Sequence, residues 1–313
     1  MSRVAAIDCG TNSIRLLIAK HDSGQLREVH REMRIVRLGE GVDATGRFAS
    51  AALNRTRTAL ADYAVLLNKH RVEKVRMVAT SAARDAANRD LFFAMTADVL
   101  GAVLPGAVAE VITGVEEAEL SYRGAVTELD VSAGPFVVVD LGGGSTEIIL
   151  GESEAQQSFS ADIGCVRITE RCLHTDPPTQ QEVTDARTEV RERLGAAMRT
   201  VSVERAHTWV GLAGTMTTLS ALAQNMTTYD SAAIHLSRVA SDRLLATCEE
   251  LIAMTSKQRA ALGPMHAGRA DVIGAGAIIV EELAQELHQR AGIRELVVSE
   301  HDILDGIALS IDD

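Results

Sequence analysis

The sequence predicts an α/β protein of two like domains, and three observations predict it. Apolar strands alternate with amphipathic helices. A strand–Asp–x–Gly–x–x–Ser–strand pattern at Asp8 returns at Asp140, 132 residues later. The 313 residues also exceed the length that one hydrophobic core usually serves. The expected domains are 1–124 and 125–313, with a closing helix at about 302–313 able to pack back on the first.

Residues 4–7 read as a buried strand, followed by a turn and a strand at 14–19. Alternation over 26–38 gives a third strand, and 51–69 has the apolar period of a long amphipathic helix. A strand at 75–79, a helix at 88–100, a strand at 108–112 and a helix at 116–126 complete an α/β half. The pattern restarts near Gly134-Pro135, with a strand at 136–139, a glycine-rich turn at 140–145 and a strand at 146–151. A strand at 155–163 and helices at 166–173 and 180–201 follow. Strand 208–212 runs into a helix through Gly214 and Thr215. Helices at 242–254 and 272–289, a strand at 296–298 and a helix at 303–311 close the order.

Composition narrows the function classes. Aromatic residues make up 3% of the chain, too few for the stacking platforms that grip single-stranded nucleic acid. With 43 acidic and 31 basic side chains the net charge is −12, which repels nucleic acid and anionic lipid, and no Lys/Arg-rich run offsets it. Cys9, Cys165, Cys172 and Cys248 lack metal-ligand or disulfide-framework spacing, so reduced cytosolic thiols are expected. The apolar run after Arg3 is interrupted at Asp8, unlike a signal peptide, and no apolar stretch is long enough to span a bilayer. A soluble cytoplasmic protein that binds neither membrane nor nucleic acid is the expectation.

Asp8-Cys9-Gly10-Thr11-Asn12-Ser13 has the parts of a phosphate cradle. Gly10 permits a tight turn, Thr11 lets the backbone approach an anion, Asn12 and Ser13 add donors, and Asp8 at the strand end suits a metal ion. An ordinary hairpin turn explains the same residues. Asp140-Leu141-Gly142-Gly143-Gly144-Ser145-Thr146-Glu147 is harder to explain as a turn, because three consecutive glycines cost conformational entropy. Close approach of a ligand to Gly142, Gly143, Gly144 and Ser145 accounts for them, although neither the P-loop nor the dinucleotide fingerprint fits. Setting the two loops over one another implies two like domains, each offering an Asp and a loop to a shared cleft, as the expectation.

Gly214 and Thr215 fall where a helix N-terminus presents N–H groups to an anion, or where they simply cap a helix. Glu116, Glu117 and Glu119 open another helix. They suit its dipole, or one of them faces the cleft as a general base. Arg84, Arg167 and Arg269 are each open to pairing with phosphate or to a surface salt bridge. His301-Asp302 reads as cap residues for the last helix, since no companion His and Asp stands at a suitable spacing.

Together the segments Ala-Ile-Asp-Cys-Gly-Thr-Asn-Ser, Ala-Thr-Ser-Ala-Ala-Arg-Asp-Ala-Ala-Asn, Gly-Val-Glu-Glu-Ala-Glu, Val-Asp-Leu-Gly-Gly-Gly-Ser-Thr-Glu and Gly-Leu-Ala-Gly-Thr-Met-Thr-Thr-Leu resemble the exopolyphosphatase/guanosine pentaphosphatase family. That family lies within the actin, sugar-kinase and heat-shock ATPase superfamily. The resemblance implies two ribonuclease-H-like domains and hydrolysis of a terminal phosphoanhydride, releasing orthophosphate from short chains of inorganic polyphosphate, with guanosine pentaphosphate as the alternative substrate. It implies that Glu117 is the catalytic base and that Arg84 binds terminal phosphates. It also implies that Asp8, Asp140 and Glu147 surround Mg²⁺ or Mn²⁺. A homodimer is a family-level expectation, and so is a short member without the C-terminal helical domain of longer relatives. The loops alone also suit a nucleotide-dependent switch or filament protein of the superfamily, which would have no use for Glu117 or Arg84.

Overall fold

A computed structural model describes residues 2–22 and 25–311. The ends of the sequence-drawn domains at residues 1 and 312–313 lie outside the described residues. The chain forms two compact units, residues 1–124 with 303–313, and residues 125–302.

The first unit begins with β1 (Ser2–Cys9), β2 (Ser13–Asp22) and β3 (Gln25–Ile35). The short α1 (Val42–Thr45), the long α2 (Ser50–Lys69), β4 (Lys74–Ala79) and α3 (Ser81–Asp85) follow. Then come α4 (Arg89–Gly101), β5 (Ala109–Val111) and α5 (Gly114–Val126). The sheet order is β3-β2-β1-β4-β5, antiparallel from β1 to β3 and parallel across β1, β4 and β5.

Alternation along β1 feeds two cores. Ala5, Ile7 and Cys9 join Leu60, Tyr63 and Leu67 of α2 and Phe92 of α4. Val4 and Ala6 belong to a second cluster on the opposite face. Burial on both faces explains why residues 4–7 are apolar without interruption.

The second unit repeats the plan with β6 (Phe136–Leu141), β7 (Thr146–Gly151) and β8 (Ala155–Ala161). Helices α6 (Cys165–Cys172) and α7 (Gln180–Thr200) lead to β9 (Thr208–Leu212), which passes directly into α8 (Ala213–Ala223). Next come α9 (Ser231–Ile234), β10 (Ser237–Ala240), α10 (Ser241–Ala253) and α11 (Ser256–Ala260). The buried α12 (Ile273–Ala291) and β11 (Glu295–Val298) close this unit.

Its sheet order, β10-β11-β9-β6-β7-β8, places β7 and β8 antiparallel beside β6 and β9 and β11 parallel on the other side. This is the mixed ribonuclease-H-like arrangement of the first unit with β10 added at one edge. Val137, Val139, Ile148, Leu150 and Trp209 pack with Val190 and Leu194 of α7 and Ile278 and Leu283 of α12 in one core.

The last helix, α13 (Ile303–Leu309), belongs to the first unit. Ile303, Leu304, Ile307 and Ala308 pack with Val4, Ala6 and Leu17. Arg31 of β3 donates to the Asp305 carboxylate at 2.5 Å, fixing the helix against the sheet.

Candidate active site

In both units the strand runs further than its apolar residues suggest. Asp140 was expected to open the turn but lies within β6, paired with Glu147 of β7. The physical reason is a tight closure: Gly142 N–H donates to Ser145 O at 3.0 Å, which lets the ladder continue to Leu141 and Thr146. The first unit closes the same way, with Gly10 N–H donating to Ser13 O at 2.9 Å and Asp8 inside β1.

The two loops share a polarity. In the first, the Asn12 carbonyl accepts from Val36 and Arg37 N–H and the Thr11 carbonyl from Gly39 N–H. In the second, Cys165 N–H donates to Gly142 O, Val166 and Arg167 N–H to Gly143 O, and the Arg167 Nε to Gly144 O at 2.7 Å. The loop carbonyls are therefore turned into the fold. Among the described residues, the N–H groups of Thr11, Asn12, Gly143 and Gly144 make no hydrogen bond within the protein. Backbone N–H groups require a partner, and a row of them facing one way is an anion cradle.

Gly164 explains how the second cradle is supported. A Cβ there would lie 2.4 Å from Gly143 C, 2.5 Å from its carbonyl oxygen and 2.6 Å from Gly144 N. Only glycine lets α6 start hard against the loop. Arg167, left open between phosphate and a surface salt bridge, is instead buried and holds the loop from behind.

The junction of β9 and α8 places Gly214 and Thr215 in the first helical turn, where N–H groups point out of the helix. Ala213 has φ of +68°, a left-handed conformation that a residue with a Cβ adopts at a cost. The Thr218 hydroxyl donates to Gly214 O at 2.7 Å and accepts from Arg269 Nη1 at 2.9 Å. The Arg269 guanidinium lies against Gly214, so a Cβ there would displace it. Arg269 thus braces the helix start.

In the first unit, α5 begins at Gly114, and Glu116 and Glu117 occupy its first turn. Glu116 accepts from Arg76 Nη2 at 2.6 Å, an ion pair that accounts for it without a catalytic role. Glu117 is buried and accepts from Arg84 Nη1 at 2.6 Å, while the same Nη1 donates to Ile112 O at 3.2 Å. Arg84 stands in α3, just past the C-terminal end of β4. The pair is partly buried rather than a surface salt bridge.

The repeat also carries a difference. Asp8 faces Arg15 across β1 and β2, where Asp140 faces Glu147 across β6 and β7. Arg15 donates to Asp8 Oδ2 through Nε at 2.9 Å and Nη2 at 2.7 Å. In the second unit two buried carboxylates stand opposite one another, an arrangement that like-charge repulsion disfavours. Ser160 Oγ donates to Glu147 at 2.7 Å. Oxygen donors of this kind fit a hard divalent cation, so Asp140 and Glu147 suit Mg²⁺ or Mn²⁺. Asp8 fits such an ion less well while Arg15 holds it.

His301 departs from its sequence reading. Asp302 does directly precede α13, but the His301 ring lies 4.6 Å from that of His235, with Glu128 beside both. These neighbours are a His and a Glu distant in sequence, not the companion His and Asp of that reading.

With this geometry in place, similarity to known proteins is informative. The Ppx/GppA phosphatase family is matched over residues 17–311. Exopolyphosphatase 2 of Mycobacterium tuberculosis is 73% identical over 315 aligned positions, covering 99% of each chain. A crystal structure of an exopolyphosphatase-like protein superposes with a TM-score of 0.93 at 40% identity, covering 98% of both chains. A Ppx/GppA family member from Aquifex aeolicus superposes with a TM-score of 0.78 at 32% identity, over 99% of this chain and 97% of that one. The chain belongs to the Ppx/GppA phosphatase family.

Proposed function

We propose that this chain is an exopolyphosphatase that releases terminal orthophosphate from inorganic polyphosphate by direct attack of water. The observation that carries the reading is the shared polarity of the two loops, whose N–H groups at Thr11, Asn12, Gly143 and Gly144 are left for an anion. Repeated cradles suit a substrate with repeated phosphates. The 73% identity to a protein named exopolyphosphatase supports the same substrate.

In this reading the first unit supplies Arg84, Glu117 and the cradle of Gly10, Thr11, Asn12 and Ser13. The second supplies Gly142, Gly143, Gly144, Ser145 and the α8 start at Gly214 and Thr215. The shared cleft implied by the repeat is part of the proposal. Glu117 takes a proton from water as the water oxygen bonds to the terminal phosphorus. The bridging P–O bond breaks, and the shortened chain leaves. Loop N–H groups stabilise charge on the phosphoryl oxygens and hold the anhydride in line. Asp140 and Glu147, with Asp8 as the third carboxylate of the expected set, would hold Mg²⁺ or Mn²⁺, which would supply charge neutralisation. The homodimer and the cytoplasmic setting belong to the same proposal. The four cysteines are all free thiols, and among the described residues no helix is long and apolar enough to cross a membrane.

The test compares phosphate release from short polyphosphate, long polyphosphate, guanosine pentaphosphate and ATP, each with and without Mg²⁺. Metal-dependent release that is fastest from polyphosphate supports the reading. Preferential hydrolysis of guanosine pentaphosphate would replace it.

A further inference from the structure

Glu128, His235 and His301 bring one donor atom each within 4.8 Å of one another. The three come from separate segments of the second unit: Glu128 follows α5, His235 follows α9, and His301 lies between β11 and α13. His235 Nε2 lies 2.9 Å from Glu128 Oε2, and His301 Nδ1 lies 3.8 Å from Glu128 Oε1. We infer that these residues, none of which belongs to the phosphate cradles, form a binding site for a late first-row transition-metal dication such as Zn²⁺ or Co²⁺.

Two imidazoles and one carboxylate are the donor set of borderline metals, whereas Mg²⁺ prefers oxygen ligands and keeps its waters. Metal–nitrogen bonds of about 2.0–2.1 Å in tetrahedral geometry put donors roughly 3.4 Å apart. The present spacing straddles that distance, so closure needs only side-chain adjustment. His235 and His301 are partly buried and Glu128 is exposed, which leaves one side of the cluster open for a water or outside ligand.

The surroundings hold the donors in place. Ser299 Oγ donates to His301 O at 2.8 Å and accepts from His301 N–H at 3.0 Å. Glu300 N–H donates to His235 Nδ1 at 3.2 Å, and Tyr229 Oη donates to the Glu300 carboxylate at 2.5 Å. With Nδ1 accepting, a neutral His235 carries its proton on Nε2 and donates it to Glu128. A metal on Nε2 replaces that proton, and the ring proton moves to Nδ1, so the Glu300 N–H gives up this acceptor. Loading is therefore linked to the 299–301 turn, and moderate affinity is expected. Glu128 lies four residues after Gly124, and His301 two before Ile303, the places where the chain passes between units. An ion there joins the two connecting segments to one another.

The experiment titrates the tag-free full chain in excess Mg²⁺ with Co²⁺, reading the visible d–d absorption, and with diamagnetic Zn²⁺, reading the amide resonance of Glu300. One equivalent with tetrahedral or five-coordinate absorption is expected, together with a shift of the Glu300 amide. Glu128→Gln and His301→Ala should each weaken binding by more than the roughly 10- to 100-fold that loss of an outer-shell partner costs. Circular dichroism melts without metal check that the variants fold, and Glu128→Gln preserves the side chain's shape. Equal Co²⁺ affinity in the wild type and in folded variants would overturn the site, as would wild-type binding without movement of the Glu300 amide.

Discussion

Arg84 donates to Glu117 at 2.6 Å, so the carboxylate proposed to activate water is oriented by the residue proposed to meet the terminal phosphate. The guanidinium has a second fixed acceptor in Ile112 O at 3.2 Å. A lysine keeps the charge but lacks the rigid planar guanidinium that holds Nη1 between both acceptors. Arg84→Lys should therefore lower kcat as well as raise KM, and Arg84→Ala should do so more severely. Steady-state kinetics on short polyphosphate checks this. A change confined to KM would leave Arg84 as a binding residue without a role in orienting Glu117.

Gly164 offers a test that touches no proposed catalytic side chain. Gly164→Ala drives a methyl group into the Gly143 carbonyl and Gly144 N, so the cradle shifts or the start of α6 does. Overpacking of this kind costs about 1–3 kcal/mol. Melting temperature should fall and KM for polyphosphate should rise. Gly195→Ala in α7 is the control, since a Cβ there meets only the Arg199 guanidinium at 3.6 Å. It should stabilise by up to about 1 kcal/mol through helix propensity and leave kinetics unchanged.

The two strand-end aspartates should respond differently to metal. Asp140 faces Glu147, whereas Asp8 is held by Arg15. Asp140→Asn and Glu147→Gln should raise the Mg²⁺ concentration needed for half-maximal activity more than Asp8→Asn does. Activity measured against Mg²⁺ concentration in the three variants reads this directly. A larger effect from Asp8→Asn would reverse the assignment.

How much of this was legible in the sequence follows from the range of the interactions. The strand–Asp–Gly–Ser repeat marked both cradles because each closes within four residues, Gly10 to Ser13 and Gly142 to Ser145. The replacement of Arg15 by Glu147 was visible at the same 132-residue offset, a signal in the repeat that compares charge rather than glycine. Gly164 and Arg167 support the loop from another element, and nothing local to residues 140–147 points to them. His235 stands 107 residues from Glu128, beyond any spacing rule. Helices α1, α3, α9 and α11 and strand β10 have only four or five residues each, too few to show periodicity.

Thiol chemistry gives a test by pH. Burial pushes the Cys165 thiol up to about 11 and moves Cys9 well above the ordinary range, with the neighbouring Asp8 charge adding to the rise. Cys172 is the least buried of the four, and its pKa is raised mainly by partial burial. Raised values keep these groups as unreactive thiols near neutral pH, and the thiolate fraction grows as pH rises. A thiol-reactive dye followed by peptide mapping should label Cys172 first, faster at higher pH, and all four residues after denaturation. Rapid native labelling of Cys165 would contradict its packing beside the second cradle.

The most direct measurement of the central claim is phosphate release from short polyphosphate by the wild type and by Glu117→Gln, with substrate binding measured on both. The account predicts retained binding and a turnover lower by roughly 10²–10⁴-fold, the loss of a general base. Near-normal phosphate release by Glu117→Gln would remove Glu117 from the reaction and with it the proposed route of water attack.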